Sequence, residues 1–159
     1  LELRLPVDVA LVGLPNSGKS AVLVALTGAA ATVAAWPQST REPAFGPLED
    51  EDGEIVLVAD LPGLAADGSP RPDARLGQLE RARVVLHCVD ASDPEPAAER
   101  IARAEAGLAD LVPAGAARLL VATHADAPGA DASFADVAVD TVTGTGIDAL
   151  RARVLGLLG

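Results

Sequence analysis

One hundred and fifty-nine residues, half of them hydrophobic, suffice for a single domain with a real core, and one cysteine leaves that core without an internal disulfide. A net charge of −11 and an aromatic content of 2% exclude a domain whose bulk surface binds nucleic acid or anionic membrane, because no basic tail or stacking platform offsets the acidity. The uncharged stretch at residues 20–40 is interrupted by Gly28, Pro37 and Gln38, short of the roughly 20 apolar residues that a bilayer span needs.

Asp8 breaks the first apolar run, so no signal peptide is read there, and the cytoplasm is the expected compartment. The chain has no methionine and begins with Leu1. Residues 1–159 are therefore expected to be one domain cut from a longer protein.

The run at residues 7–12 predicts a strand. After it, Gly13-Leu14-Pro15-Asn16-Ser17-Gly18-Lys19-Ser20 has the Gly-x4-Gly-Lys-Ser spacing of a loop that cradles phosphates. The helix-forming residues 21–26 complete the strand, loop, helix order that this motif requires. Backbone N–H groups of residues 16–20 are expected to point at the phosphates, aided by the positive end of the helix. Lys19 is the only lysine among twelve Lys and Arg residues. A compact ammonium fits between two phosphates where a planar guanidinium is too broad. Ser20 then offers its hydroxyl to magnesium.

A weaker strand at about 43–49 and another at 54–59 flank the acidic turn Glu49-Asp50-Glu51-Asp52-Gly53, predicting a hairpin and one antiparallel pair. That turn is expected to be solvated, since its spacing suits calcium only weakly. Next comes Asp60-Leu61-Pro62-Gly63, an Asp-x-x-Gly whose carboxylate can reach magnesium through water and whose glycine N–H can bond a γ-phosphate.

Further strands are predicted at 84–89, 118–122 and 136–139, with His87 and Cys88 as packed strand residues. Helical spacing at Ile101, Leu108 and Leu111, and at Ile147, Leu150, Val154 and Leu157, predicts two helices that each turn one apolar stripe to the sheet. The fold class is α/β, a mostly parallel sheet with one antiparallel strand and helices on both faces. In such sheets ligands bind at the C-terminal strand ends, where the distinctive residues of this chain fall. Arg71, Arg75, Arg81 and Arg83 concentrate positive charge beyond the Asp-x-x-Gly. A solvated helix face is the default for them, and they are the place to look for RNA contact.

Leu1-Glu2-Leu3-Arg4-Leu5, the loop at 13–20, Asp60-Leu61-Pro62-Gly63-Leu64 and Val85-Leu86-His87-Cys88-Val89-Asp90 together resemble the GTPase domain of the Obg family. The resemblance implies a three-layer P-loop NTPase G domain belonging to a cytoplasmic, slowly hydrolysing GTP switch. It further implies a link to the large ribosomal subunit, in assembly or stress signalling. GTP and GDP would be held by Gly13, Leu14, Pro15, Asn16, Ser17, Gly18, Lys19 and Ser20, with magnesium on Ser20, Thr40 and Asp60. Trp36-Pro37-Gln38-Ser39-Thr40 stands where the family has its first switch. Residues 29–42 would then be an order-disorder segment in which Gln38, Ser39 and Thr40 close over the γ-phosphate.

Leu61, Pro62 and Gly63 would line the phosphates as the second switch. By the same resemblance, the catalytic roles fall to Lys19, Asn16, Thr40 and Gly63. Leu64 replaces a water-orienting glutamine, which implies bare turnover near or below roughly 10⁻⁴ per second. Asn16 resembles the asparagine with which related GTPases hold a potassium ion beside the transferred phosphate, in place of an arginine finger.

Two stretches depart from the family pattern. Asn-Lys-x-Asp has become Thr123-His124-Ala125-Asp126, in which Asp126 still accepts from guanine N1–H and the exocyclic amine, and His124 would stack beneath the base. Ser-Ala has become Asp140-Thr141, so backbone N–H at Asp140, Thr141 and Val142 would face guanine O6 while a new carboxylate approaches the base. Residues 127–135, with Pro128 and Gly129, are too short and broken for the helix that relatives place before the last strand, which is therefore expected to be shortened or absent. These departures leave open a degenerate nucleotide-binding module that docks a partner and hydrolyses little, with an adenine-specific protein as a third reading.

Overall fold

The computed structural model describes residues 7–15, 17–28, 32–33, 44–60, 64–65, 67–69, 82–108, 112 and 115–158. Of the expected site residues, Asn16, Gln38, Ser39, Thr40, Leu61, Pro62 and Gly63 lie outside these, as do Leu111, Arg71, Arg75 and Arg81. The described elements run β1 (Val9–Val12), α1 (Lys19–Thr27), β2 (Thr32–Val33), β3 (Ala44–Glu49), β4 (Ile55–Asp60), β5 (Val84–Asp90), α2 (Ala97–Leu108), β6 (Ala117–Thr123), β7 (Val137–Ala138) and α3 (Ile147–Leu158).

The strands form one sheet in the order β2-β3-β4-β1-β5-β6-β7. β3 runs against β2 and β4, and every other pairing is parallel. One antiparallel strand was expected and one is found, but it makes two antiparallel pairs because of β2. A strand of two residues inside a long uncharged stretch is too short to show a period of two.

β1 and β5 sit in the middle, covered on both faces, which is why they read as continuous apolar runs rather than alternating ones. Val9, Leu11, Val84, Leu86 and Cys88 face one core, closed by Val22, Leu23 and Leu26 of α1 and by Ile147, Leu150 and Val154 of α3. Ala10, Val12, Phe45, Ala59 and Val85 face the other, closed by Ala104 and Leu108 of α2. Leu64 is buried in this second core.

Two expected stripes need correction. The face that α2 buries is Arg100, Ala104 and Leu108, with Ile101 only half-buried. The guanidinium of Arg100 is tolerated inside because Nε donates to the Glu95 carbonyl at 3.1 Å and another N–H donates to the Asp90 carbonyl at 2.7 Å. On α3 the stripe stops at Val154, and Leu157 is 44% exposed.

Residues 124–136 contain turns and bends but no helix, as the broken composition predicts. α3 covers Val137 and Val139 from one side, whereas on the other side Leu120 is half-buried and Ala138 exposed. The acidic turn is solvated, as expected. Asp50 Oδ1 accepts from the N–H groups of Asp52 and Glu54 at 2.9 and 2.8 Å, closing the β3–β4 hairpin.

Candidate functional site

β1, β4, β5, β6 and β7 all end on the same edge of the sheet, so the phosphate loop, Asp60, Asp90 and the two altered motifs converge there. β1 enters the loop at Gly13, whose φ is +154°. A Cβ at Gly13 would stand 2.6 Å from the Cys88 carbonyl oxygen, so the loop lies against the end of β5 only without a side chain. Gly18, φ +90°, caps α1, and a Cβ there would press on Thr123 at 3.1 to 3.3 Å.

Lys19 opens α1, and its Nζ donates to the Leu14 carbonyl at 3.5 Å, back across the loop. No side chain caps this helix, and its first turn holds no acid. The positive helix end and its free N–H groups are thus left for an anion.

At the end of β4 Asp60 is 7% exposed, and its Oδ2 accepts from the Ser20 hydroxyl at 2.7 Å. Its other oxygen, Oδ1, is buried with no hydrogen-bond partner among the described residues. An orphaned carboxylate oxygen beside a serine hydroxyl fits a hard divalent cation that takes few protein oxygens and completes its shell with water and phosphate. No cluster of three acidic, histidine or cysteine side chains suited to a metal occurs among the described residues.

The base-side loop is held from beneath by Thr123, which is 2% exposed. Its hydroxyl donates to the Ser17 carbonyl at 2.7 Å and also lies 3.4 Å from the Val89 carbonyl, tying the phosphate loop to the loop after β6. Thr123→Val keeps the shape and removes the donor, leaving a buried carbonyl unsatisfied. We expect a loss of about 1–3 kcal/mol in stability and weaker nucleotide binding, read by thermal melting with and without GDP.

Asp126 stands exposed on this loop, and its Oδ2 accepts from the hydroxyls of Thr143 and Thr145, both at 2.6 Å. These bonds, first from Thr143 and then from Thr145, hold its carboxyl below the ordinary value of 3.8 against a small opposing effect of burial. A depressed folded-state value means the interaction is intact above 3.8 and lost as pH falls through the lowered one. If Asp126 reads the base, GDP affinity on its account should stay flat from neutral pH down to about pH 4, which a pH series of GDP titrations will check.

The sequence reading assigned no role to the two threonines, although they belong to an ending, Thr143-Gly144-Thr145-Gly146-Ile147-Asp148-Ala149-Leu150, that resembles the Obg family. Their signal was a pair of hydroxyls at alternate positions in Thr143-Gly144-Thr145.

The Asp140 carboxylate, expected to approach the base, is instead turned onto backbone N–H groups. Asp140 is 6% exposed; its Oδ2 accepts from the Asp126 N–H at 3.1 Å, and its Oδ1 accepts from the N–H groups of Val142 and Thr143 at 2.9 and 3.3 Å. It braces the two loops against each other, and the Val142 N–H is committed to it. Val142 itself is 89% exposed, and Thr141 is half-buried.

A cavity of about 240 Å³ lies on the α2 side of the loop, lined by Leu14, Pro15, Ser17, His87, Arg100 and Arg103 among others. It takes in Leu14, Pro15 and Ser17 of the loop and Asp90 at the end of β5, but none of Lys19, Ser20, Asp60 and Asp126. His87 is 2% exposed, as a packed strand residue should be, with Nδ1 3.2 Å from Glu105. Burial lowers its pKa, and the Glu105 carboxylate works against that. Burial likewise pushes the Cys88 thiol up to about 12, so it is inert. Of the four arginines expected as a patch, only Arg83 is described, and it donates to the Leu158 carbonyl at the end of α3.

Residues 8–123 match the family model described as 50S ribosome-binding GTPase. The chain is 41% identical to the GTPase Obg of Erythrobacter litoralis over 99% of its length and 49% of that protein. It is 47% identical to the GTPase Obg of Desulfatibacillum aliphaticivorans over 58% of the chain and 28% of that protein. It thus spans from about a quarter to half the length of these two curated relatives.

Among solved structures, the G domain of the T. maritima FeoB iron transporter superposes with a TM-score of 0.71 at 26% identity, covering 96% of this chain and 99% of that one. The nucleolar GTP-binding protein 1 from Plasmodium falciparum has a TM-score of 0.73 at 16% identity, covering 97% and 88%, which speaks for the fold alone. With its phosphate loop, its Ser20–Asp60 pair and its base-side loop on one sheet edge, the chain belongs to the 50S ribosome-binding GTPase family and carries a G domain of the Obg type.

Proposed function

We propose that this domain binds GTP and GDP with magnesium and hydrolyses GTP slowly, as the switch of an Obg-type protein. The observation that carries this reading is the Ser20–Asp60 contact with its orphaned carboxylate oxygen, placed beside the uncapped N-terminus of α1 and Lys19. Magnesium, when bound to Ser20 and Asp60, would neutralise charge on the β- and γ-phosphates. Lys19 and the N–H groups of the loop then orient the phosphate chain, while Asp126 selects guanine. Thr40, with Gln38 and Ser39, and Gly63, with Leu61 and Pro62, are proposed to close on the γ-phosphate.

The buried position of Leu64 supports a slow rate, because a side chain packed in the α2-side core cannot orient an attacking water. Asn16 is proposed to hold potassium in place of an arginine finger, worth up to about 10³- to 10⁵-fold in rate. Hydrolysis should then run faster in potassium than in sodium, and Asn16→Ala should abolish the difference. A rate and cation preference unchanged in that variant would remove the potassium site.

A link to the large ribosomal subunit is proposed from the family description and the named relatives, and a cytoplasmic setting goes with it. No helix among the described residues is long and apolar enough to cross a membrane. Calorimetric titration with GTP, GDP and ATP, followed by phosphate release from GTP with magnesium, tests the reading. Magnesium-independent binding, or ATP bound as tightly as GTP, would overturn it.

A further inference from the structure

We propose that Asp90, which ends β5 outside the phosphate, metal and base motifs, is a positioning residue that orients His124 as the support for the nucleotide base. Asp90 Oδ1 lies 3.0 Å from His124 Nδ1, with side chains 22% and 41% exposed respectively. The same oxygen accepts from the Ser92 N–H at 2.8 Å and the Ser92 hydroxyl at 2.6 Å, so the carboxylate is itself held in place. Asp90 is opposite Thr123 in the β5–β6 register. The Ala91 N–H donates to the Thr123 carbonyl at 2.9 Å, and buried Arg100 grips the Asp90 carbonyl at 2.7 Å. The end of β5 is thereby fastened to the base-side loop through both backbone and side chain.

His124 needs such a hold. Its φ is +55°, and among the described residues it is the one non-glycine residue with positive φ, a conformation that a side chain with a Cβ disfavours. A lysine at this place would lie along the base with a long stem and tolerate many rotamers. An imidazole is short and flat, and supports a base only when its plane is set. A carboxylate at Nδ1 places the proton on that nitrogen and fixes the ring, leaving Nε2 as its other polar edge. Burial raises the Asp90 pKa, but bonds from Ser92 and then the His124 imidazole outweigh it, so the carboxyl sits below its ordinary value and stays charged for this task.

This inference rests on the guanine-nucleotide reading of the loop and predicts a coupling that a purely structural Asp90 would lack. With the full chain and magnesium, GDP affinity is measured by titration calorimetry for wild type, Asp90→Ala, His124→Ala and the double variant. Each single change should weaken GDP about five- to tenfold, and the double variant should be no weaker than His124→Ala alone. Ser92→Ala, which removes the hydroxyl and leaves the Ser92 N–H on the carboxylate, should weaken GDP less than Asp90→Ala does, and not at all in the His124→Ala background.

Asp90→Asn keeps the side-chain shape and an acceptor oxygen but removes the charge that strengthens the hydrogen bond to His124 Nδ1. It covers the case in which Asp90→Ala fails to fold, and should weaken GDP in the presence of His124 but not in the His124→Ala background. Losses that multiply in the double variants would overturn the positioning role while leaving the nucleotide reading intact. A wild-type chain that binds no GDP would overturn both.

Discussion

Lys19→Ala should reduce GTP and GDP affinity by about 10²- to 10⁴-fold while leaving the fold intact. The ammonium is expected to make two charge-assisted hydrogen bonds to the β- and γ-phosphates, each worth about 1.5–3 kcal/mol, and together these account for that range. The loop itself does not depend on the side chain, since its one hydrogen-bond partner among the described residues is the Leu14 carbonyl, at 3.5 Å. The melting temperature without nucleotide should therefore move little, while the stabilisation that GDP gives the wild type disappears. Calorimetry and melting curves together check both halves, and a variant that binds GDP normally would remove Lys19 from the phosphate site.

Asp126→Asn should exchange guanine preference for xanthine. The carboxylate accepts from two guanine donors, and turning one acceptor into a donor leaves both groups mismatched, at roughly 1.5–3 kcal/mol or about 10- to 150-fold in GDP affinity. Thr143 and Thr145 keep the side chain in place from beneath, so the change acts on the base and not on loop order. His124→Lys should tighten GDP if the longer stem adds packing under the ring. If wild type bound ATP as well as GTP, and Asp126→Asn altered neither, residues 123–126 would not read the base.

Periodicity and spacing carried most of the architecture. β1, β4, β5 and β6 are apolar runs of four to seven residues, and the central β1 and β5, buried on both faces, have to look that way. The loop at 13–20 was legible because a phosphate cradle needs glycine where the backbone passes Cys88 and Thr123, and a lysine of one length at one place. The missing helix after β6 was legible from Pro128 and Gly129.

Side-chain partners were not legible, because they join residues far apart in the chain. Nothing local to Asp140 tells that its carboxylate braces the Asp126 N–H rather than approaching a base. Neither does anything near Thr143 announce that it and Thr145 hold Asp126. Arg100 reads as a surface residue until the carbonyls of Asp90 and Glu95 are found turned toward it. Backbone geometry and hydrophobic pattern are set by neighbours a few residues away, so the chain alone specified the G domain and its phosphate loop. The fit of the base-side loop depended on strand ends meeting across the sheet, and only folding put Thr123 against Ser17 and His124 against Asp90.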